Sequence, residues 1–274
     1  MIHEDDPDHP ITTTIVNFQK NDLVNIKIRT NIDIISFNIF SRINELKDDL
    51  KNFSWFWNGP YMITEWAIDG PWDGAPATAW NAKIEPTSSI KAKNYLSRYK
   101  RFMPVEDPRF LGSFIFFWGQ KQEITHTWFS LFDEFGNKTE AVNIAEEIWK
   151  GKVSKFEGPK IDGIILSNQV ALDNIFLETN ELQSAEILVS SNPGNVQVKW
   201  EIYPEDWYKK NNVNNLIRPK VLLGLIQRQY DFKVNFRTPN TPGPYRLFST
   251  VLDAKGNIAN VNIPFYVIGK DGKN

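Results

Sequence analysis

The hydrophobic period of this chain changes once, at Gly151, and that change limits the folds open to it. Before Gly151, short apolar runs alternate with stretches whose apolar residues recur at helical spacing. After it, apolar residues fall at every second position. The first pattern is that of strands alternating with helices, which builds a parallel sheet with helices outside. The second is that of short antiparallel strands, each turning one face to a core. Two architectures are therefore expected in one chain: an α/β part over residues 1–151 and an all-β part over residues 160–270. A polar linker, Lys152–Lys160, joins them and closes on Gly158 and Pro159.

Within the first part, Ile11–Phe18 is β-branched, follows a proline and reads as a strand. Asn21–Thr30 reads as a short, weakly helical link. Asp33–Phe40 is a second strand, apolar on both faces as a buried parallel strand is. Ile43–Phe53 has helical spacing, and Tyr61–Trp66 is a third strand. A loop with Gly70, Pro71, Gly74 and Pro76 leads to a helix over Ser88–Met103. Its apolar residues Ala92, Tyr95, Leu96, Tyr99, Phe102 and Met103 share one face, and Thr87 or Ser88 caps it. Leu111–Trp118 is a fourth strand. A helix over Thr139–Trp149 buries Ala141, Val142, Ala145, Ile148 and Trp149, and Gly151 ends it. Four such units make either a small open sheet or half of a (β/α)₈ barrel.

In the second part, Val196, Val198, Trp200 and Ile202 alternate, as do Phe232, Val234 and Phe236, and then Tyr245, Leu247 and Val251. Turn signals recur at Asn192-Pro193-Gly194, from Pro239 to Pro244, and from Asp253 to Asn257. This spacing predicts an antiparallel sandwich of immunoglobulin type.

Composition excludes several functions. A net charge of -2 supplies no field to draw in nucleic acid, and the densest basic spot is only Lys209 and Lys210. With no cysteine there is no disulfide, thiolate chemistry or cysteine-bound zinc. Three histidines, His3, His9 and His126, do not cluster into a metal site, and no cofactor motif is present. No stretch has the length of a membrane span, and Met1 to Pro10 is acidic and polar, without a signal-peptide pattern.

Function in parallel βα architectures gathers at the carboxyl ends of the strands. The first strand offers Asn17 there, and the second Asn38 and Ser41. The third offers Glu65 and Trp66, with Asp69, Trp72 and Asp73 beyond. The fourth offers Trp118, Gln120, Gln122 and Glu123, then His126 and Trp128. Carboxylates and amides bond sugar hydroxyls, while indole faces cover the apolar faces of the ring. Glu65 is either a carboxylate beside an oxocarbenium-like transition state or a strand-end glutamate paired with a rim cation. Trp118 is either a platform under a sugar or a cap on the core. Asn38 either orients a hydroxyl or satisfies the backbone. Trp72 and Trp80 either wall a cleft or pack their loop. Glu123 reads as solvated and His126 as structural.

Several stretches resemble the catalytic barrels of glycoside hydrolase family two. HEDDPDHPITTTI resembles the approach to strand five, and DIISFNIF resembles strand six with its asparagine. YMITEWAIDG resembles strand seven, which carries the nucleophilic glutamate. FLGSFIFFWGQ resembles strand eight, which ends in a substrate-facing tryptophan. PGPYRLFSTVLDAKGNIANVNIPFYV resembles a sandwich appended to such barrels. The resemblance implies strands five to eight of a TIM-type barrel followed by an immunoglobulin-like β-sandwich. It implies an enzyme: a retaining glycoside hydrolase acting on a β-linked oligo- or polysaccharide, with Glu65 as nucleophile. Asn38, Trp66, Trp72, Trp118, Gln120, Gln122 and Glu123 would contact the substrate.

The family's acid/base follows strand four, which lies before Met1. Asn44-Glu45, the nearest match to its Asn-Glu pair, is on a helix. An in-chain pair of Glu65 and Glu123 is a further option. Half a barrel leaves two open parallel edges, so self-association or a missing N-terminal half is expected. The alternatives are a non-catalytic carbohydrate-binding protein or an inactive barrel fragment. The family resemblance implies a periplasmic or secreted location.

Overall fold

The structure, a computed structural model, describes residues 2–205 and 217–270. Lys209 and Lys210 lie outside the described residues. The chain divides into two compact units, Met1–Gly70 with Leu96–Phe116, and Pro71–Tyr95 with Phe117–Asn274.

The first unit opens with a short helix, α1 (Ile2–Asp5). It continues through β1 (Thr12–Val16), α2 (Lys20–Arg29), β2 (Ile34–Asn38), α3 (Ile43–Phe53) and β3 (Tyr61–Trp66). After the end of α4 (Ser88–Phe102) comes β4 (Phe110–Ile115). All four strands are parallel in the order β1-β2-β3-β4, and no strand joins β1 to β4 among the described residues. The sheet is open, and no barrel closes among the described residues. The link over Asn21–Thr30 is a full helix, held on the unit by the buried Leu23.

Helices cover one face of this sheet. Ile43, Leu46, Leu50 and Phe53 form the buried stripe of α3, spaced at three, four and three residues so that they share a side. Phe18 stacks on Phe37 at 5.8 Å and meets Phe53 edge-on at 5.9 Å. Trp66 is fully buried and meets Tyr99 of α4 at 5.7 Å. Ile35, Phe37, Tyr61, Ile63 and Trp66 are buried, while Met62, Thr64 and Glu65 between them are only half-buried. The break in strict alternation at Thr64-Glu65 matches a register shift, after which Asn38 pairs with Glu65. A bulge of this kind puts two successive side chains on one face. The other face therefore carries Asn38, Thr64 and Glu65 at its carboxyl end. Val16 and Phe114 stay 61% exposed. A parallel sheet is ordinarily covered on both faces.

The second unit contains β5 (Lys138–Thr139), α5 (Glu140–Lys150), β6 (Lys160–Leu166), β7 (Phe176–Glu178), β8 (Leu182–Ser191) and β9 (Gln197–Pro204). They are followed by β10 (Ile226–Tyr230), β11 (Lys233–Arg237), β12 (Gly243–Leu252) and β13 (Asn257–Ile268). One sheet runs β10-β11-β8-β6. The other runs β5-β13-β12-β9, with β7 added parallel to β13. Both turn apolar residues into one core: Ile161, Ile164, Ile187 and Phe236 from the first, and Trp200, Leu247, Val261 and Phe265 from the second. The β12–β13 hairpin turns where Asp253 Oδ1 accepts from the backbone N–H of Lys255 (2.8 Å) and Asn257 (2.9 Å).

Two sequence expectations shift here. The fourth strand stops at Ile115, not Trp118, because Phe117 N–H leaves the parallel ladder and bonds Phe129 O at 3.3 Å. In α5 the buried apolar residues are Ala141, Ile144 and Ala145, and Trp149 is exposed. Val142 and Trp149 lie about one residue's rotation off that stripe, and Ile148, on it but in the last turn, is half-buried. Gly151 does end α5, in the left-handed conformation (φ 63°).

Candidate functional site

Glu65 sits at the carboxyl end of β3, in register with Asn38 at the end of β2. Its backbone carbonyl accepts from Ile39 N–H at 2.8 Å, which fixes the strand end. Beside it, Thr64 Oγ1 donates to Asn38 Oδ1 at 2.8 Å, so the Asn38 amide is oriented by a neighbouring strand. Asp69, the next carboxylate along, is engaged by Arg98 Nη2, and Arg98 Nη1 donates to Phe40 O at 2.8 Å. Glu65 and Asp69 are the carboxylates at the strand ends of the first unit among the described residues. Trp66 is turned to the helices. A side chain with no exposure cannot touch a sugar, so its place is under the strand end.

In the second unit, Trp118 is half exposed. Its indole meets Phe132 at 5.1 Å and Trp149 at 5.3 Å, which leaves an aromatic ledge in solvent. Trp72 is 45% exposed and lies 5.7 Å from Phe129. Trp80 is half-buried between Phe176 (5.3 Å) and Tyr266 (5.7 Å), and so it packs its loop. Gln120 is half-buried and donates to His126 O at 3.4 Å. Gln122 is buried, donating to Ile124 O at 3.1 Å.

Glu123 differs from the expectation of a solvated residue. It is buried, in an ion pair with Lys121 at 2.9 Å. The cause is local: Glu123 and Thr125 exchange both backbone hydrogen bonds around Ile124, which is held at φ 62°. That tight turn folds the carboxylate inward. A β-branched residue seldom adopts this conformation.

His126 is structural. It packs at 4.5 Å on Phe248 and 5.5 Å on Tyr203. Burial, and then the charge of Arg218, push its imidazole down to about 3, so it stays neutral at physiological pH.

Close by lies a buried ionic group that the sequence did not reveal. Glu85 accepts from Lys91 Nζ, from Thr125 Oγ1 (2.6 Å), from Thr127 Oγ1 (2.8 Å) and from Asn262 Nδ2 (2.7 Å). Burial alone would push the Glu85 carboxyl up. The charge of Lys91, with hydrogen bonds from Lys91 and Thr125, outweighs it and holds the carboxyl below its ordinary range. Arg246 extends the group by chelating Glu205 and donating to Asn262 at 2.6 Å. These bonds tie Glu85, Lys91, Thr125, Thr127, Arg246 and Asn262 into one buried network.

A cavity of about 430 Å³ opens along the edge strands β9 and β10 of the second unit, with residues 120–137 as a further wall. Gln120, His126 and Phe132 line it together with Trp200, Arg218 and Asn260. Only Gln120 among these was a sequence candidate for binding. Trp200 was legible solely as a core residue of the alternating β9 pattern.

No protein-family model matches this chain, and neither does any curated protein. Among solved structures, CopC from Methylosinus trichosporium OB3b is similar over 41% of this chain and 96% of its own, at 16% identity and a TM-score of 0.26. A β-glucuronidase from Parabacteroides merdae, with glycerol in its active site, is similar over 97% of this chain, at 9% identity and a TM-score of 0.36. A second structure of that enzyme gives 12% identity and a TM-score of 0.34. The chain spans about a third of the length of the β-glucuronidase (33% and 32% in the two structures). These are distant likenesses.

Proposed function

We propose that this chain belongs to a glycan-processing protein in which Glu65 is the nucleophilic carboxylate of a retaining glycoside hydrolase. One observation carries the reading. Glu65 stands at the carboxyl end of a parallel strand, on the face the helices leave uncovered, with the oriented amide of Asn38 opposite it. A carboxylate there can attack an anomeric carbon, and an amide beside it can bond a ring hydroxyl. The uncovered face and the edges of β1 and β4, unpaired among the described residues, fit strands five to eight of a TIM-type barrel. On this reading residues 1–151 are that half, and residues 160–270 are an appended immunoglobulin-like sandwich. The strand-four acid/base comes from outside these residues.

Beside Glu65 the proposed binding residue is Asn38, and Trp72, Trp118 and Gln120 of the second unit are proposed to meet glycan apart from it. Gln122 and Glu123, both buried, shape the turn around Ile124. Glu123 is tied to Lys121, which argues against an in-chain pair with Glu65. The substrate is an oligo- or polysaccharide, and the reaction needs no metal or cofactor. Among the described residues, no helix is long and apolar enough to cross a membrane.

A non-catalytic glycan-binding role is the second reading. It is favoured by the engagement with Arg98 of Asp69, the other strand-end carboxylate of the first unit among the described residues. Aryl glycosides with a good leaving group separate the two, because they need no proton donor for bond cleavage. Slow release of the aryl group, lost in Glu65→Gln, is expected from the first reading. Binding of oligosaccharides that is lost in Asn38→Ala, without release from any aryl glycoside, supports the second.

A further inference from the structure

We infer that the cavity beside β9 is a separate binding site for a neutral saccharide, independent of Glu65 and of the reading built on it. Its volume, about 430 Å³, falls in the range of small-ligand pockets. It lies where two sheets expose their edges, since β9 ends one and β10 ends the other. Edge strands carry unsatisfied polar groups and tolerate a ligand there. Gln229 of β10 donates to Val198 O of β9, and Leu222 N–H donates to Ile202 O at 2.8 Å, which holds the edges in place.

The lining selects the ligand. Two buried N–H groups, Trp200 Nε1 and Arg218 Nε, have no hydrogen-bond partner among the described residues. A buried donor left without an acceptor is costly, so an acceptor-rich ligand gains from meeting them. Charge argues against an anion. Lys199 and Arg218 face three carboxylates, Asp133, Glu134 and Glu201. The cations are already committed, Lys199 to Glu201 at 2.9 Å and Arg218 to Glu134 at 3.4 Å. His126 at the wall is neutral, its imidazole held down at about 3 by burial and by Arg218.

What is left is a set of amides, Gln120, Gln197 and Asn260, with aromatic surface from Trp200 and Phe132. Amides bond hydroxyls, and rings cover the apolar face of a pyranose. Phe132 also contacts Trp118 at 5.1 Å, so the exposed ledge of Trp118 and Trp149 continues outward from the cavity wall. A chain of sugar residues leaving the cavity would run over that ledge. This assigns a role to Trp118 that does not depend on a barrel.

The test is a titration of the ¹⁵N-labelled chain, read at the tryptophan indole signals. The ligands are short cello-, xylo-, manno- and galacto-oligosaccharides, with galacturonate oligomers for comparison. The Trp200 signal is the one that disappears in Trp200→Phe. A neutral series is expected to move that signal and to bind Glu65→Gln as tightly as the native chain. Gln120→Ala, a half-buried position that spares the core, is expected to weaken binding about tenfold, as losing one hydrogen bond to a ligand does. The inference falls if no neutral series moves the Trp200 signal, if acidic oligomers alone move it, or if Gln120→Ala binds like the native chain. Because the readout is binding without turnover, its failure leaves the Glu65 reading untouched, and the reverse also holds.

Discussion

Replacing Glu85 by leucine isolates the buried ionic group that holds the second unit together. In the native chain the Lys91 ammonium is buried and has two acceptors, Glu85 and the Thr127 carbonyl at 2.7 Å. Glu85→Leu removes the charged one and strands the cation. Breaking one partner of a buried ion pair costs about 3–5 kcal/mol, because the remaining charge is neither solvated nor paired. That is a large fraction of the ~5–15 kcal/mol by which a domain is stable. With a urea slope of about 2 kcal/mol/M, the midpoint should fall by roughly 1.5–2.5 M.

Glu85→Leu combined with Lys91→Leu should be less damaging than the single change, since it deletes both charges from an apolar setting. The pH dependence follows the same logic. The folded carboxyl is held below its ordinary 4.5, so its contribution is complete above that value and is lost as pH falls through the folded one. Glu85→Leu should flatten this acid limb. Urea melts followed by near-ultraviolet circular dichroism check both points. A loss under about 1 kcal/mol for the single variant, or strict additivity in the double, would refute the reasoning.

Other outcomes follow from single residues. His126, held at about 3 against an ordinary 6.5, binds a proton in the unfolded chain before the folded one. Stability should therefore fall with acid between those two values, by at most about 1.4 kcal/mol per pH unit, and His126→Gln should reduce that slope in thermal melts. Thr87 caps α4 by accepting from Ile90 N–H at 3.2 Å while donating to Ile161 O at 2.8 Å. Thr87→Ala should cost about 1–2 kcal/mol in the same melts. Thr87→Ser keeps both bonds and should cost much less, so equal losses in the two variants would contradict the capping role.

The fold was legible where one local signal dominated. The α3 helix falls on Ile43–Phe53 and β3 on Tyr61–Trp66, as the spacing of apolar residues predicts. The Gly151 stop and the Asp253–Asn257 turn were equally plain, because left-handed backbone and side-chain turn bonds demand particular residue types. The misses arise where partners distant in sequence decide. The apolar run through Trp118 hid the end of β4, because only the bond from Phe117 to the Phe129 carbonyl takes the chain off the ladder.

The site was less legible than the fold. Position alone suggested that Trp66 reaches the rim, but a bulge at Thr64-Glu65 returns it to the helices. Glu123 looked solvated because nothing local marks the turn at Ile124. The cavity residues Trp200 and Arg218 come together from separate strands and loops, and alternation reported Trp200 only as core.

The most direct test of the central claim is covalent trapping of Glu65. A retaining nucleophile attacks a 2-deoxy-2-fluoro glycoside bearing an activated leaving group, and the fluorine then slows release of the glycosyl group. No acid/base is required to form the adduct. A panel of such sugars, followed by intact mass measurement and peptide mapping, should add one fluoroglycosyl group to Glu65 and none to Glu65→Gln. Labelling at another residue, equal labelling of Glu65→Gln, or an unlabelled Glu65 across the panel would contradict the account.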